Sequence, residues 1–236
     1  MFNKKLTAAV AGLAILLAGC GNNSSKPASQ AVKPFSAQVT ASDNGTKQEI
    51  SGSSTKGSKV YYQVADGQKD SVAVKNKKFT IKLPASLKTR KVKVSQKQNL
   101  SKPITVKVTK PKTVITTAKF AKKFNGAKEM QAQMPSKLPK LDQPMNIMFS
   151  ATTAYNILSD SKNIYSMQLE INDIANKETN KHLTATAAGL GLKKADLNNL
   201  VTKAKKNKGS QQTKDIQGYH LTSLVDGKKL TVNVTK

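Results

Sequence analysis

The sequence predicts an all-β half followed by an α+β half. Three observations carry this. From residue 35 to 110, short β-branched runs recur at roughly 8–12-residue spacing between turn residues. Pro135, Pro139 and Pro144 then interrupt regular structure. From residue 145 to 236, two strand pairs flank a stretch with helical periodicity.

The first half reads as the strands AQVTA, KQEISG, SKVYYQVA, SVAVKN, KKFTIKL, RKVKVSQ and ITVKVTK. Asp43-Asn44-Gly45, Lys56-Gly57, Asp66-Gly67, Lys75-Asn76-Lys77 and Pro84 separate them. Phe79, Ile81 and Leu83 alternate with Lys78, Thr80 and Lys82. Val92 and Val94 alternate with Lys91, Lys93 and Ser95, and Ile104, Val106 and Val108 with Thr105, Lys107 and Thr109. About seven strands with one apolar and one lysine–threonine face fit an antiparallel β-sandwich. Lys78, Lys82, Lys91, Lys93 and Lys107 are then the candidate polyanion-binding residues, since residues 35–110 hold 16 basic side chains against four acidic ones.

Residues 111–144 read as a connector in which KFAKKFNGAKEM can form a short helix. In residues 145–236, MNIMFSATTAYNIL and IYSMQLEIND flank the turn-rich Ser159–Asn163, and GYHLTSLV-DG-KKLTVNVT is a hairpin signal with its turn at Asp226-Gly227. Between these pairs Leu197, Leu200, Val201 and Ala204 form an apolar stripe, with Gly209 as a stop. The expected second domain is small and α+β: hairpin, two helices, hairpin, about four strands with helices on one face. The stretch ATAAGLGLKKADLNNLV is similar to the DNA-binding helix-turn-helix pattern. The same spacing arises in any tight αα-hairpin, and the second helix, Lys193–Lys206, contains no arginine and has Asp196 among its polar positions, which counts against nucleic acid. Lys193, Lys194, Lys203, Lys205 and Lys206 make it a candidate partner helix.

The chain opens MFNKK, followed by the uncharged LTAAVAGLAILLAG and the only cysteine, Cys20. A basic start before a short apolar run is an export signal, too short for a membrane span. Leu17-Ala18-Gly19-Cys20 resembles the lipobox of bacterial lipoproteins. That resemblance implies a leader over 1–19, diacylglyceryl attachment at Cys20, and localisation at the extracytoplasmic face of the cell membrane. With no second cysteine, no disulfide can form within the chain. Residues 20–34 read as the lipidated cysteine and a polar tether, roughly 20 Å long for a flexible chain. The stretch ISGSSTKGSKVYYQVADG with the later KKFTIKLP resembles small bacterial Ig-like domains of surface proteins. That resemblance implies an Ig-like sandwich over 35–110 in a spacer or adhesive module.

Lysine dominates the charge: the formal net charge is +27, and Arg90 is the sole arginine. Lysine suits diffuse attraction to polyanions better than bidentate recognition. Nucleophile-elbow, zinc-protease and phosphate-loop motifs are missing. His182 and His220 stand 38 residues apart without ligand-spaced partners, Glu170 and Asp173 flank a turn, and Met130, Met134, Met145, Met148 and Met167 read as core filler. Of Tyr61 and Tyr62, adjacent on one strand, one must point outward. No catalytic, cofactor-binding or metal-binding residue is expected, and no cofactor. The expected function is a membrane-anchored envelope module that binds anionic wall polymer or lipid head groups without catalysis. The alternative is an inhibitor, immunity or exclusion lipoprotein whose C-terminal domain blocks a protein or nucleic-acid partner.

Overall fold

The computed structural model describes residues 34–40, 42, 45–131 and 137–236. The expected export leader, Cys20 and nearly all of the tether lie outside the described residues. The strands of the first half are β1 (Phe35–Thr40), β2 (Lys47–Ser54), β3 (Lys59–Val64), β4 (Lys69–Ala73), β5 (Lys78–Pro84), β6 (Arg90–Ser95) and β7 (Ile104–Val108). They form two open antiparallel sheets, of order β1-β2-β5 and β4-β3-β6-β7. The alternation in β5 is strict: Phe79, Ile81 and Leu83 are buried while Lys78, Thr80, Lys82 and Pro84 are exposed. These residues join Ile50, Val60, Val92, Val94, Val106 and Val108 in one apolar cluster shared by both sheets.

Two local devices set the strand register. Between β4 and β5 the chain reverses at Asn76 (φ 51°) and Lys77 (φ 61°), the twofold positive φ of a type I′ turn. Gly52 lets β2 approach its neighbours closely, because a Cβ there would strike the Ser36 carbonyl oxygen and come within 2.6 Å of the Phe79 ring.

The second half adds β8 (Ile115–Thr116), α1 (Thr117–Asn125), α2 (Lys128–Gln131), β9 (Met145–Ser150), β10 (Thr153–Ser159), β11 (Asn163–Ile171), α3 (Glu178–Leu190), α4 (Lys194–Lys206), β12 (Gln212–Ile216), β13 (Tyr219–Asp226) and β14 (Lys229–Thr235). Six strands run β12-β13-β14-β11-β10-β9, and β8 pairs with β11 to complete a seven-stranded antiparallel sheet. The Thr116 side chain caps α1 by accepting from the Lys119 N–H. Gly191 ends α3 in the left-handed region, φ 75°, and its N–H reaches back to the last helical carbonyls. The stripe Leu197, Leu200, Val201 and Ala204 is buried as its periodicity predicts. It joins Phe120, Phe124, Tyr155, Leu169, Leu183 and Val232 in a second, larger cluster between the helices and one face of the sheet. The described residues all belong to one compact unit, Lys33–Lys236.

The expected fold class is therefore corrected. The first half is not an Ig-like β-sandwich: its sheets stay open, one of three strands and one of four, and neither curls nor closes. Alternation says which side of each strand is apolar, but not which strands pair or whether a sheet closes. The second half exceeds the expected hairpin, two helices and hairpin. MNIMFSATTAYNIL is two strands rather than one, Gln212–Ile216 forms an edge strand, and Ile115–Thr116 pairs with β11. Helix α4 stops at Lys206 with Asn207 as its cap, and Gly209, φ 76°, instead donates its N–H to the Val225 carbonyl.

Candidate polyanion surface and cleft

Strand parity places the candidate lysines on two surfaces. Val60, Val92, Val94, Val106 and Val108 face the shared cluster, so Lys59, Tyr61, Gln63, Lys91, Lys93, Thr105 and Lys107 take the opposite face of the four-stranded sheet. Lys69 is in register with Gln63 and joins them. Lys91 stands directly opposite Lys107, and Lys93 opposite both Gln63 and Thr105. No carboxylate shares this face among its strand residues. Asp70, the one acid in these strands, is in register with Tyr62 on the other parity and accepts that tyrosine's hydroxyl at 2.9 Å. The Ser71 backbone N–H and then the Tyr62 hydroxyl hold the Asp70 carboxyl below the usual carboxylate range. Partial burial, reinforced by Asp70, pushes the Tyr62 hydroxyl up to about 12.

Lys78 and Lys82 lie elsewhere, on β5 in the three-stranded sheet, where Lys82 faces Glu49 across the strand pair. The five lysines are thus divided three and two between different sheets. Lys59 and Lys69 complete the larger group. For Lys59 the sequence signal was its alternation with Tyr61 and Gln63 on one strand, whereas Lys69 joins the face only through the β3–β4 register. Tyr61 is the outward tyrosine and lies half-buried at the centre of this face. Arg90 faces inward in function: its guanidinium donates to the Gln48 side chain at 2.7 Å and the Pro84 carbonyl at 2.6 Å. The charge on the outward face of this sheet's strands is accordingly all ammonium, while the exposed Asp70 stands on the other parity.

A cleft of about 370 Å³ opens where the first half meets the end of the seven-stranded sheet. Val39, Thr40, Ser42, Lys47 and Gln48 form one side, the segment Thr109–Lys112 the floor, and His220, Thr235 and Lys236 the other side. Four lysines and a histidine line it, and no Asp or Glu is among the described residues that do. The Lys110 ammonium sits 5.1 Å from the Tyr165 ring centroid and 3.4 Å from its hydroxyl, which itself donates to Asp160. His220 Nδ1 lies 2.6 Å from the Asp215 carboxylate.

The other candidates separate. Lys193, Lys194, Lys203, Lys205 and Lys206 are all exposed on or beside α4. Glu170 pairs with Lys229 at 2.7 Å, while Asp173 accepts the Ala175 N–H. Met130 and Met167 are buried, Met145 is partly buried, and Met148, expected in the core, is 54% exposed. Its strand parity puts it on the sheet face away from the helices. His182 is fully enclosed by Phe149 and Tyr155. Tyr155 places its hydroxyl 2.9 Å from Thr186 and donates to the His182 carbonyl at 3.3 Å. Burial, opposed by Glu178 and aided by Lys181, pushes the His182 imidazole down to about 4. No group of three or more His, Cys, Asp or Glu side chains could hold a metal ion among the described residues. No helix among the described residues is long and apolar enough to cross a membrane.

One polar feature gave no sequence signal. Across the sheet face away from the helices, Asn146 donates to Asn156, Asn156 to Gln168 at 3.2 Å, Gln168 to Asn233 at 2.8 Å, and Asn233 to Thr222 at 3.0 Å. Each pair is in direct register, so one amide chain crosses β9, β10, β11, β14 and β13.

No family model matches the chain, and the searches of curated proteins and of solved structures return no match. Neither the lipobox nor the Ig-like resemblance is confirmed by these comparisons.

Proposed function

We propose that this chain is a non-catalytic module of the cell envelope that binds anionic polymers through the outward face of the β4-β3-β6-β7 sheet. In this reading it is held at the extracytoplasmic face of the membrane through Cys20. The observation that carries the binding is the Lys91–Lys107 pair, with Lys93 next along β6, Lys69 beyond Gln63 and Lys59 at the far end of β3, and no carboxylate on the strands of that face. Like charges directly opposite each other destabilise a sheet. An anionic chain laid across them relieves that repulsion and gains several weak attractions at once. Such binding is sequence-tolerant and weakens as salt rises, because the ammonium groups are exposed and screened.

The test is co-sedimentation of the full chain, solubilised in nonionic detergent, with isolated cell walls before and after removal of their anionic polymers, across a salt series. Retention that needs the polymer and fades with salt supports the reading. Equal retention on stripped walls, or none at low salt, refutes it.

A further inference from the structure

The cationic cleft adds a second element to this surface. Its lysines come from three separate stretches, Lys47 at the start of β2, Lys110 and Lys112 after β7, and Lys236 at the chain's end. Lys110 is engaged by Tyr165, and Lys236 lies 5.9 Å from the Tyr219 ring centroid. Lys47, Lys112 and Lys236 have no ion-pair partner among the described residues. The neighbouring polar side chains are held in place: Gln48 donates to the Thr109 carbonyl at 2.6 Å and accepts from Arg90 at 2.7 Å, and the Thr40 hydroxyl lies 3.2 Å from that of Ser51. Lysines from three stretches around one small cavity favour an anion, and lysine meets a phosphate oxygen as a point charge without needing the planar fork of arginine, so the single charge of a phosphodiester suffices. A bound anion here also offsets the repulsion among the cleft's own cations.

We propose that this cleft is a phosphate subsite which takes one phosphate ester group of the anionic polymer that lies on the lysine face. This deepens the function proposed above and rests on it for the identity of the polymer. The connection is the chain itself: β7 carries Lys107 on the lysine face and then runs straight into Thr109–Lys112. Residues 107 and 112 are at most about 18 Å apart along an extended backbone, a distance a few polymer units can bridge. The face would supply diffuse attraction, and the cleft a defined seat.

Calorimetric titration of the full chain with inorganic tripolyphosphate at low salt tests the seat by itself. The wild type should bind one ion per chain, saturably. Lys112→Gln with Lys236→Gln should weaken this by about tenfold or more, as expected for losing contacts to a charged group. Lys91→Gln with Lys93→Gln and Lys107→Gln should leave it within about twofold, yet release the chain from polymer-bearing walls. All five positions are exposed, and a thermal melt of each variant verifies folding. Unsaturable binding, or equal loss in both variants, overturns the subsite. Wall retention without tripolyphosphate binding also sinks the subsite and leaves the proposed function standing. Tripolyphosphate binding without wall retention does the reverse. Displacement of tripolyphosphate by anionic phospholipid vesicles, but not by a poly(glycerol phosphate), reassigns the seat to lipid head groups and overturns the polymer assignment.

Discussion

Among the described residues, the core cluster of the first half holds nine buried apolar side chains between two sheets, whereas that of the second half holds thirty between its helices and one sheet. The smaller cluster is Val and Ile with a single Phe and Leu, and half of the strand positions outside it are lysine, threonine or serine. The larger one holds Phe120, Phe124, Phe149 and Tyr155 in mutual edge and tilted contacts, with a buried histidine against them. On the far side of the same sheet runs the amide chain. The contrast assigns two jobs. The second half carries the packing that holds the unit together. The first half has the smaller core and exposes lysines in register on the outward face of its four-stranded sheet. A surface with like charges in register costs stability, and that cost is tolerated where a larger cluster in the same unit offsets it.

Cutting one anchor in each half probes this contrast most strongly. Phe124→Ala removes a fully buried ring that touches three others and should cost about 3–5 kcal/mol. Ile81→Ala in the smaller cluster should cost about 2–5 kcal/mol. If the halves unfold together, both variants lower a single calorimetric transition, by about 2–4 °C per kcal/mol for a chain of this size. Two transitions, each moved by only one variant, would mean that the larger cluster does not support the smaller.

Acid separates the halves by a different route. His182 is neutral and buried in the folded chain, with its pKa pushed down by burial to about 4 against 6.5 for the ordinary side chain. The unfolded chain therefore binds the extra proton between these values. The contribution is complete above about pH 6.5 and is lost as pH falls towards 4, a change on the order of 3 kcal/mol. Melting temperature measured from pH 7 to 4.5 should fall in the wild type and fall distinctly less in His182→Gln. Parallel curves for the two chains would show that the imidazole does not set the acid limit.

Asn233→Leu tests the amide chain. It leaves the buried Gln168 amide without its acceptor and should cost about 1–3 kcal/mol in urea unfolding. A neutral result would mean that Gln168 finds another partner. The smallest effect concerns the turn between β4 and β5. Lys77→Gly relieves a side chain held at φ 61° and should stabilise the chain by about 0.5–1 kcal/mol. A loss there would show that the lysine itself contributes more than the backbone strain costs.

Much of this contrast was legible from residue order. The alternation in KKFTIKL, RKVKVSQ and ITVKVTK gave the inward and outward sets correctly, and the Leu197–Ala204 stripe located α4 and its buried face. Pairing was not legible. Nothing local places Lys82 on a different sheet from Lys93, because which strands adjoin depends on crossovers between distant segments. Gln212–Ile216 went unread because Lys214, at a position facing the helices, is matched by Asp196 of α4 at 2.9 Å rather than by an apolar neighbour. The amide chain was hidden for the same reason: Asn146, Asn156, Gln168 and Asn233 are polar residues that become a set only once five strands are in register. The cleft assembles from Val39, Thr40, Ser42, Lys47 and Gln48, from residues 109–112, and from His220, Thr235 and Lys236, so only tertiary structure brings its cations together.

The openness of the four-stranded sheet bears on how copies of this chain would crowd. An open sheet ends in strands whose backbone donors and acceptors invite a neighbour, and here the ends are β4 and β7. Each carries an exposed lysine, Lys69 on one and Lys107 on the other. Two molecules approaching rim to rim therefore meet repulsion before their backbones can join. At high local density that favours even spacing over clumping, and it makes brine the condition under which self-association should first be seen.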